Sequence, residues 1–392
     1  MFYGGKKMYK DQKFCGERLK EARMYRGMST QEVADGLSIQ RQTINLYEKN
    51  AIQKPDYELI KKMSKVLSFP VKFFLANDFE CEESQAVYFR SLLTTNKKYR
   101  QQQVQKIKFV SIVYKLLDEY IEFPDLNLPM HINESPEEMA NLLRKFWDLG
   151  DKPIENLVYL AEKNGIFVST FESGTSDIDA FSKRIESKNR YIIAYSRNKG
   201  TAARIHFDIA HELGHILLHD WYEDVESLSK EEFKIIENQA HTFASAFLLP
   251  KEAFSYDVGR YGNNIHYYIE QKKRWKVSIS MMIRRAYNLD LIDYTTYQAL
   301  NRKMQKDGIK KYEPLDDILI TAKPSLLKTS IEMLINDNVL TSKEFIDELE
   351  NDFNFSIYPE EVEKLFELKK DFLKFDNIIP FHTLKKKRPN FV

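Results

Sequence analysis

Residues 204–221 read RIHFDIAHELGHILLHDW, and the fold is decided by how this stretch is read. Its apolar residues Ile209, Ala210, Leu213, Ile216 and Leu217 recur at helical spacing, as on a helix buried beside an active site. On such a helix His211 and His215 lie four positions apart, so both imidazoles project from one face and reach one ion. Neutral imidazole suits Zn²⁺, and a catalytic zinc keeps three protein ligands with a fourth position left to water. Such a water has its pKa lowered to about 7, and Glu212, beside the first imidazole, is placed to take its proton. This is the mechanical content of a His-Glu-x-x-His sequence.

The third ligand lies elsewhere. A metzincin-type arrangement needs glycine at 218 and histidine at 221, where this chain has Leu218 and Trp221. The other common solution is a glutamate from a following helix, and KEEFKIIENQAHTFASAFLLP (230–250) offers Glu237, with His241 one turn later to hold a ligand from behind. This is the gluzincin spacing. Glu231 and Glu232 compete, but they sit near the helix start, away from the face of Ala240, Ala244 and Phe247 on which two helices could approach closely. His219 reads as structural near the helix end, and His206 as packing or orienting.

Working outward, strand-like runs precede the cluster at IFVSTFE (166–172) and RYIIAYS (190–196), with IDAFSKR between them. Helices are predicted around SPEEMANLLRKFWDLG and IENLVYLAEKNG, and the chain past Pro250 is mainly helical without a chemical motif. A long helix before 124 must stop at Pro124 and Pro129. The chain of 392 residues suggests two or three domains. Its two cysteines, Cys15 and Cys81, form no disulfide framework and suit a reducing compartment. No run is apolar enough for a membrane span and the start carries no secretory signal, so a cytoplasmic protein is expected.

The overall charge of +1 hides a bias: through Leu75, fifteen Lys/Arg stand against eight Asp/Glu. A basic head on a slightly acidic body points to a polyanion partner for the head alone. Within it, Ser29 and Glu32 form a capping box, and Gly27 and Asn50 are placed to end helices. Leu19, Ala22 and Met24 are the residues of the first helix expected to bury. Ala34, Ser38 and Ile44 occupy positions five, nine and fifteen of a helix-turn-helix, with serine where the turn usually has glycine. The recognition helix is then QRQTINLYEKN, with Gln40, Arg41, Gln42, Thr43 and Asn45 toward the major groove and Gln31 placed to touch phosphate.

These segments carry a resemblance. ERLKEARMYRGMSTQEVADGLSIQRQTINLYEKN resembles the XRE-type helix-turn-helix domain of phage and mobile-element repressors. IDAFSKR…IIAYSRNKGTAARIHFDIAHELGHILLH followed by IENQAHTFASAFLLP is similar to the ImmA/IrrE metallopeptidase domain, and YFRSLLTTNKKYR and RWKVSISMMIRRAYNLDLID are similar to their fused architecture. The likeness covers about residues 14–315.

It implies a mainly α chain: an XRE-type bundle at 14–76, a connector and linker helix at 77–129, an α+β gluzincin-like metallopeptidase domain with a small sheet at 130–265, and a helical region at 266–392. It further implies a zinc endopeptidase of the kind that, in relatives, cleaves a transcriptional repressor and derepresses stress or mobile-element genes. His211, His215 and Glu237 would be ligands and Glu212 the base; at 241 the family usually has Asn or Asp. Tyr195 and Tyr222 are candidate oxyanion donors. Operator DNA, a repressor or the chain itself as substrate, and a homodimer on DNA are the expected partners. The competing expectation is a non-proteolytic, antitoxin-like regulator whose peptidase fold senses or docks.

Overall fold

The computed structural model describes residues 13–52, 54–76, 97–130, 134–172, 179–185, 190–197, 200–219 and 228–375. The head is closed by a short antiparallel pair, β1 (Lys13–Phe14) with β2 (Leu75–Ala76). Between them run α1 (Gly16–Tyr25), α2 (Thr30–Leu37), α3 (Arg41–Glu48), α4 (Tyr57–Leu67) and a 3₁₀ turn at Val71–Phe74. The capping box forms as expected: Ser29 Oγ accepts from the Glu32 N–H at 3.1 Å while Glu32 accepts from the Ser29 N–H. Ser38 makes the turn between α2 and α3 in the left-handed region, φ 57°, where a β-carbon is strained. Leu19, Ala22, Ala34 and Ile44 are buried in the core. Met24 is only half-buried, because the inward stripe of α1 runs Leu19, Ala22, Tyr25; the Tyr25 ring stacks on Phe109 at 4.7 Å. Cys15 is buried at the start of α1, and Cys81 lies outside the described residues.

The linker is one helix, α5 (Lys97–Tyr120), ending before Pro124. Then come α6 (Pro136–Phe146), α7 (Leu157–Lys163) and the strands β3 (Ile166–Phe171), β4 (Ala180–Ile185) and β5 (Arg190–Ser196). The sheet order is β3-β5-β4, with β5 parallel to β3 and antiparallel to β4. The helices α8 (Ala202–His219) and α9 (Lys230–Leu248) follow, then α10 (Lys251–Val258), α11 (Ile265–Trp275), α12 (Ile279–Asn288) and α13 (Tyr294–Lys306). The chain continues through α14 (Leu326–Asn336), α15 (Ser342–Asn351) and α16 (Pro359–Leu365).

Strand alternation makes this sheet a partition between two cores. Ile166, Val168, Ala180, Tyr191, Ile193 and Tyr195 face the cluster built on α8 and α9. Phe167, Phe171, Phe181, Ile185, Ile192 and Ala194 face a second cluster that contains the head, α5 and α14–α16. Each wholly buried phenylalanine here contributes roughly 2 kcal/mol.

Polar ties join the parts. Arg26 pairs with Glu361 at 2.9 Å, Tyr25 donates to the same carboxylate, and Arg18 donates to the Asn354 carbonyl. The carboxylate of Glu162 accepts from the N–H groups of Ser325 and Leu326, fastening the start of α14. The C-terminal end of α9 is held by two buried guanidiniums: Arg144 donates to the Phe247 carbonyl, and Arg285 to that of Leu249. Both satisfy carbonyls that a helix end leaves open.

Candidate metal centre

Close approach of α8 and α9 creates the site. A β-carbon on Gly214 would stand 3.0 Å from the Phe243 ring and 3.2 Å from Ala240 Cα, so glycine here, facing alanine, sets the helix separation. At that separation Glu237 reaches across to α8. Its Oε2 lies 3.3 Å from His211 Nε2, its Oε1 lies 3.2 Å from His215 Nε2, and the two Nε2 atoms are 3.1 Å apart. Among the described residues these side chains form the one cluster able to hold a metal ion. Glu231 and Glu232 are exposed at the start of α9, and Glu232 is engaged in the Ser229 cap.

The donor set fits zinc. Metal–ligand bonds of about 2.0–2.1 Å at tetrahedral angles place ligand atoms roughly 3.3 Å apart, which is the observed spacing. The surroundings also favour a positive charge. Burial disfavours protonating His211, yet Glu237, Glu212 and Asp208 outweigh it and raise its pKa. Burial likewise opposes ionisation of Glu237, but the two imidazoles win and hold its carboxyl far below the usual range.

Hydrogen bonds behind the site orient its members. His219 Nε2–H donates to Gln239 Oε1 at 2.8 Å, which leaves His219 Nδ1 to accept from His215 Nδ1–H at 3.2 Å. That chain fixes the tautomer of His215 with its Nε2 lone pair toward the cluster. Ser182, on β4, donates to Glu212 Oε2 at 2.7 Å, locating the base candidate from the sheet. Neither role was read from sequence, since both depend on the register of separate elements. His241, expected beside a ligand, meets the His211 ring at 4.6 Å and also stacks on Phe207 at 5.5 Å. It lines a cavity of about 980 Å³ together with Phe207, Asp208, Ser280 and Tyr312.

His206 is wholly buried, as expected for a packing residue. Its Nε2 accepts from the Leu157 N–H and lies 3.0 Å from the Thr321 hydroxyl, and burial pushes its pKa down to about 4. Tyr195 is buried among the charges of Glu367, Glu162 and Arg197 rather than those of the site. Tyr222 lies outside the described residues. In the head, Gln31, Gln40, Arg41 and Gln42 are exposed, and Thr43 and Asn45 are half-buried beside them. Arg41 Nε donates to Thr30 at 3.2 Å and Gln31 to Asp35 at 2.7 Å, while Gln40 caps α3 with no side-chain bond.

A polar helix face for a groove and a buried two-histidine, one-glutamate cluster define a nucleic-acid-binding module joined to a metallohydrolase-like one. Residues 19–74 match the family model described as Helix-turn-helix, and residues 161–287 match Peptidase_M78, the IrrE N-terminal-like domain. The chain therefore joins a helix-turn-helix domain similar to the XRE type to a metallopeptidase-like domain similar to that of IrrE. No curated protein matches it. Among solved structures, a Mycobacterium tuberculosis transcriptional regulator is similar at 17% identity with a TM-score of 0.28, over 46% of this chain and 50% of that one. Among the described residues no helix is long and apolar enough to cross a membrane.

Proposed function

We propose that the protein is a cytoplasmic transcriptional regulator that binds operator DNA as a homodimer and carries a zinc-dependent endopeptidase of gluzincin type. It cleaves a repressor, itself or a partner, and so derepresses stress, phage or mobile-element genes. The division into 14–76, 77–129, 130–265 and 266–392 belongs to the same reading. The observation that carries it is the convergence of His211, His215 and Glu237 at ligand spacing, with Glu212 beside them and held by Ser182.

His211, His215 and Glu237 would hold the ion. When bound, zinc supplies an acidified water and a Lewis acid for the scissile carbonyl. Glu212 takes the proton of the attacking water and delivers it to the leaving amine. Ser182 keeps that carboxylate aimed, and His219 with Gln239 keeps His215 in its binding tautomer. The cavity past His241 and Tyr312 accommodates the extended chain on one side of the cut. At the other end, Gln40, Gln42 and Asn45 suit adenine, Arg41 suits guanine, and Gln31 a phosphate.

The test pairs wild type with Glu212→Gln. Each is incubated with candidate repressors, with and without zinc, and chain lengths are followed by mass spectrometry. Fragments are expected only from wild type with zinc, with operator binding equal in both. Identical fragments from both chains, or none from either under inducing conditions, would overturn the peptidase and leave the docking-module alternative.

A further inference from the structure

A second cavity, of about 870 Å³, lies remote from the metal centre where four parts of the molecule meet. The end of α1 supplies Tyr25 and Arg26, α5 supplies Lys106, the sheet supplies Phe171 and Arg197, and the α16 region supplies Glu361 and Glu367. Most charges on this wall are matched. Glu361 accepts from Arg26, Tyr25 and Lys364. Glu367 pairs with Arg197 at 3.2 Å and accepts from Thr170. Glu363 is engaged by the backbone N–H groups of Asp371 and Leu373. Glu172 and Glu360 are exposed on the rim, where water screens them.

Lys106 is the exception among the charges withdrawn from water, Lys370 being exposed. It is half-buried, lines the cavity together with Arg26 and Arg197, and forms no hydrogen bond or ion pair with a described residue. Burial lowers its pKa, Arg197 and Arg26 push the same way, and Glu172 and Glu361 compensate only in part. An ammonium withdrawn from water beside two guanidiniums is a costly arrangement unless an anion completes it.

We propose that this cavity is an effector site for a phosphorylated small molecule of nucleotide size, its phosphates held by Lys106 and flanked by Arg26 and Arg197. Arg26 already donates to the Leu67 and Ser68 carbonyls and to Glu361, and Arg197 pairs with Glu367. Lys106 therefore supplies the direct contact, an ammonium binding phosphate as a point charge, and the two guanidiniums add flanking positive charge. Tyr25 and Phe171 reach the cavity only at their edges, their rings being packed on Phe109 and Phe181, and the volume is that of a small-molecule site rather than of one inorganic ion. The ligand would share the charge of Arg26 with Glu361, so its arrival bears on a contact between the DNA-binding head and α16. The proposal does not rest on the peptidase reading.

Titration calorimetry of the full chain with ATP, and separately with inorganic pyrophosphate, tests it. Saturable one-to-one binding is expected, weakened at least tenfold in Lys106→Gln, largely retained in Lys106→Arg and unchanged in Arg41→Gln, which reports on the DNA-reading face. Binding of ATP but not pyrophosphate assigns a nucleotide; equal binding of both assigns the phosphates alone as the recognised group. Without ligand, Lys106→Gln is expected to melt no lower than wild type. Absence of saturable binding by either probe, equal affinity in Lys106→Gln, or a lower melting temperature of ligand-free Lys106→Gln would overturn the proposal.

Discussion

The recognition helix α3 and the metal-centre helix α8 solve opposite problems. On α3 the candidate DNA-reading side chains are exposed or half-buried and only Ile44 and Glu48 are buried, so they cost the fold little. On α8, His211, Glu212, His215 and His219 are all buried, and each needs a partner to offset desolvation. A reading surface can be exchanged residue by residue. A buried polar site has to be assembled whole, from two helices, a strand and a tuned helix separation.

The largest expected break in that contrast is His215→Ala, which should abolish stoichiometric zinc binding after dialysis, measured by metal analysis, while operator affinity is unchanged. Next is the pH dependence set by His206 on the same helix. Its folded pKa of about 4 lies below the unfolded value, so the unfolded chain binds the extra proton. Its stabilising contribution is complete above about pH 6.5 and is lost as pH falls toward 4. This amounts to about 3 kcal/mol, and unfolding of wild type against His206→Gln over this window measures it.

Gly214→Val should cost about 1–3 kcal/mol by overpacking against Phe243 and Ala240. It should also weaken zinc binding by moving Glu237 away, read by calorimetry. His219→Leu should leave the ligands in place yet lower zinc affinity about 10–100-fold, because the tautomer of His215 is no longer set. The smallest effect is in the head. Ser38→Gly relieves a left-handed residue and should stabilise the protein by about 1 kcal/mol in denaturant titration. A destabilised glycine variant would mean that the serine side chain contributes more than its strain.

Legibility followed locality. The His211–His215 pair depends only on spacing within one helix, and the small face of α9 marked the approach that brings Glu237 in. Ser29 and Ser38 likewise act within a few residues of themselves, whereas the Asn50 side chain accepts from the Gly16 N–H at the start of α1, a contact no local pattern announces. His219 and Ser182 were not legible, because one acts through Gln239 on another helix and the other through strand register. His241 sits one turn beyond Glu237, and that turn brings its ring against His211 as well as Phe207. The C-terminal helices offered no chemical signal, since their apolar contacts and their ties such as Arg26–Glu361 join residues far apart in the chain.

That shared interior bears on what proteolysis could accomplish. Leu19, Ile44 and Phe74 belong to the same packed cluster as Phe109, Phe355 and Leu373. A single peptide bond broken between Ala76 and Lys97 would therefore yield two polypeptides that remain clasped, much as a nicked globule does. Ejecting the head from an operator by self-cleavage would demand a later separation of the pieces, slow enough to be timed on a sizing column.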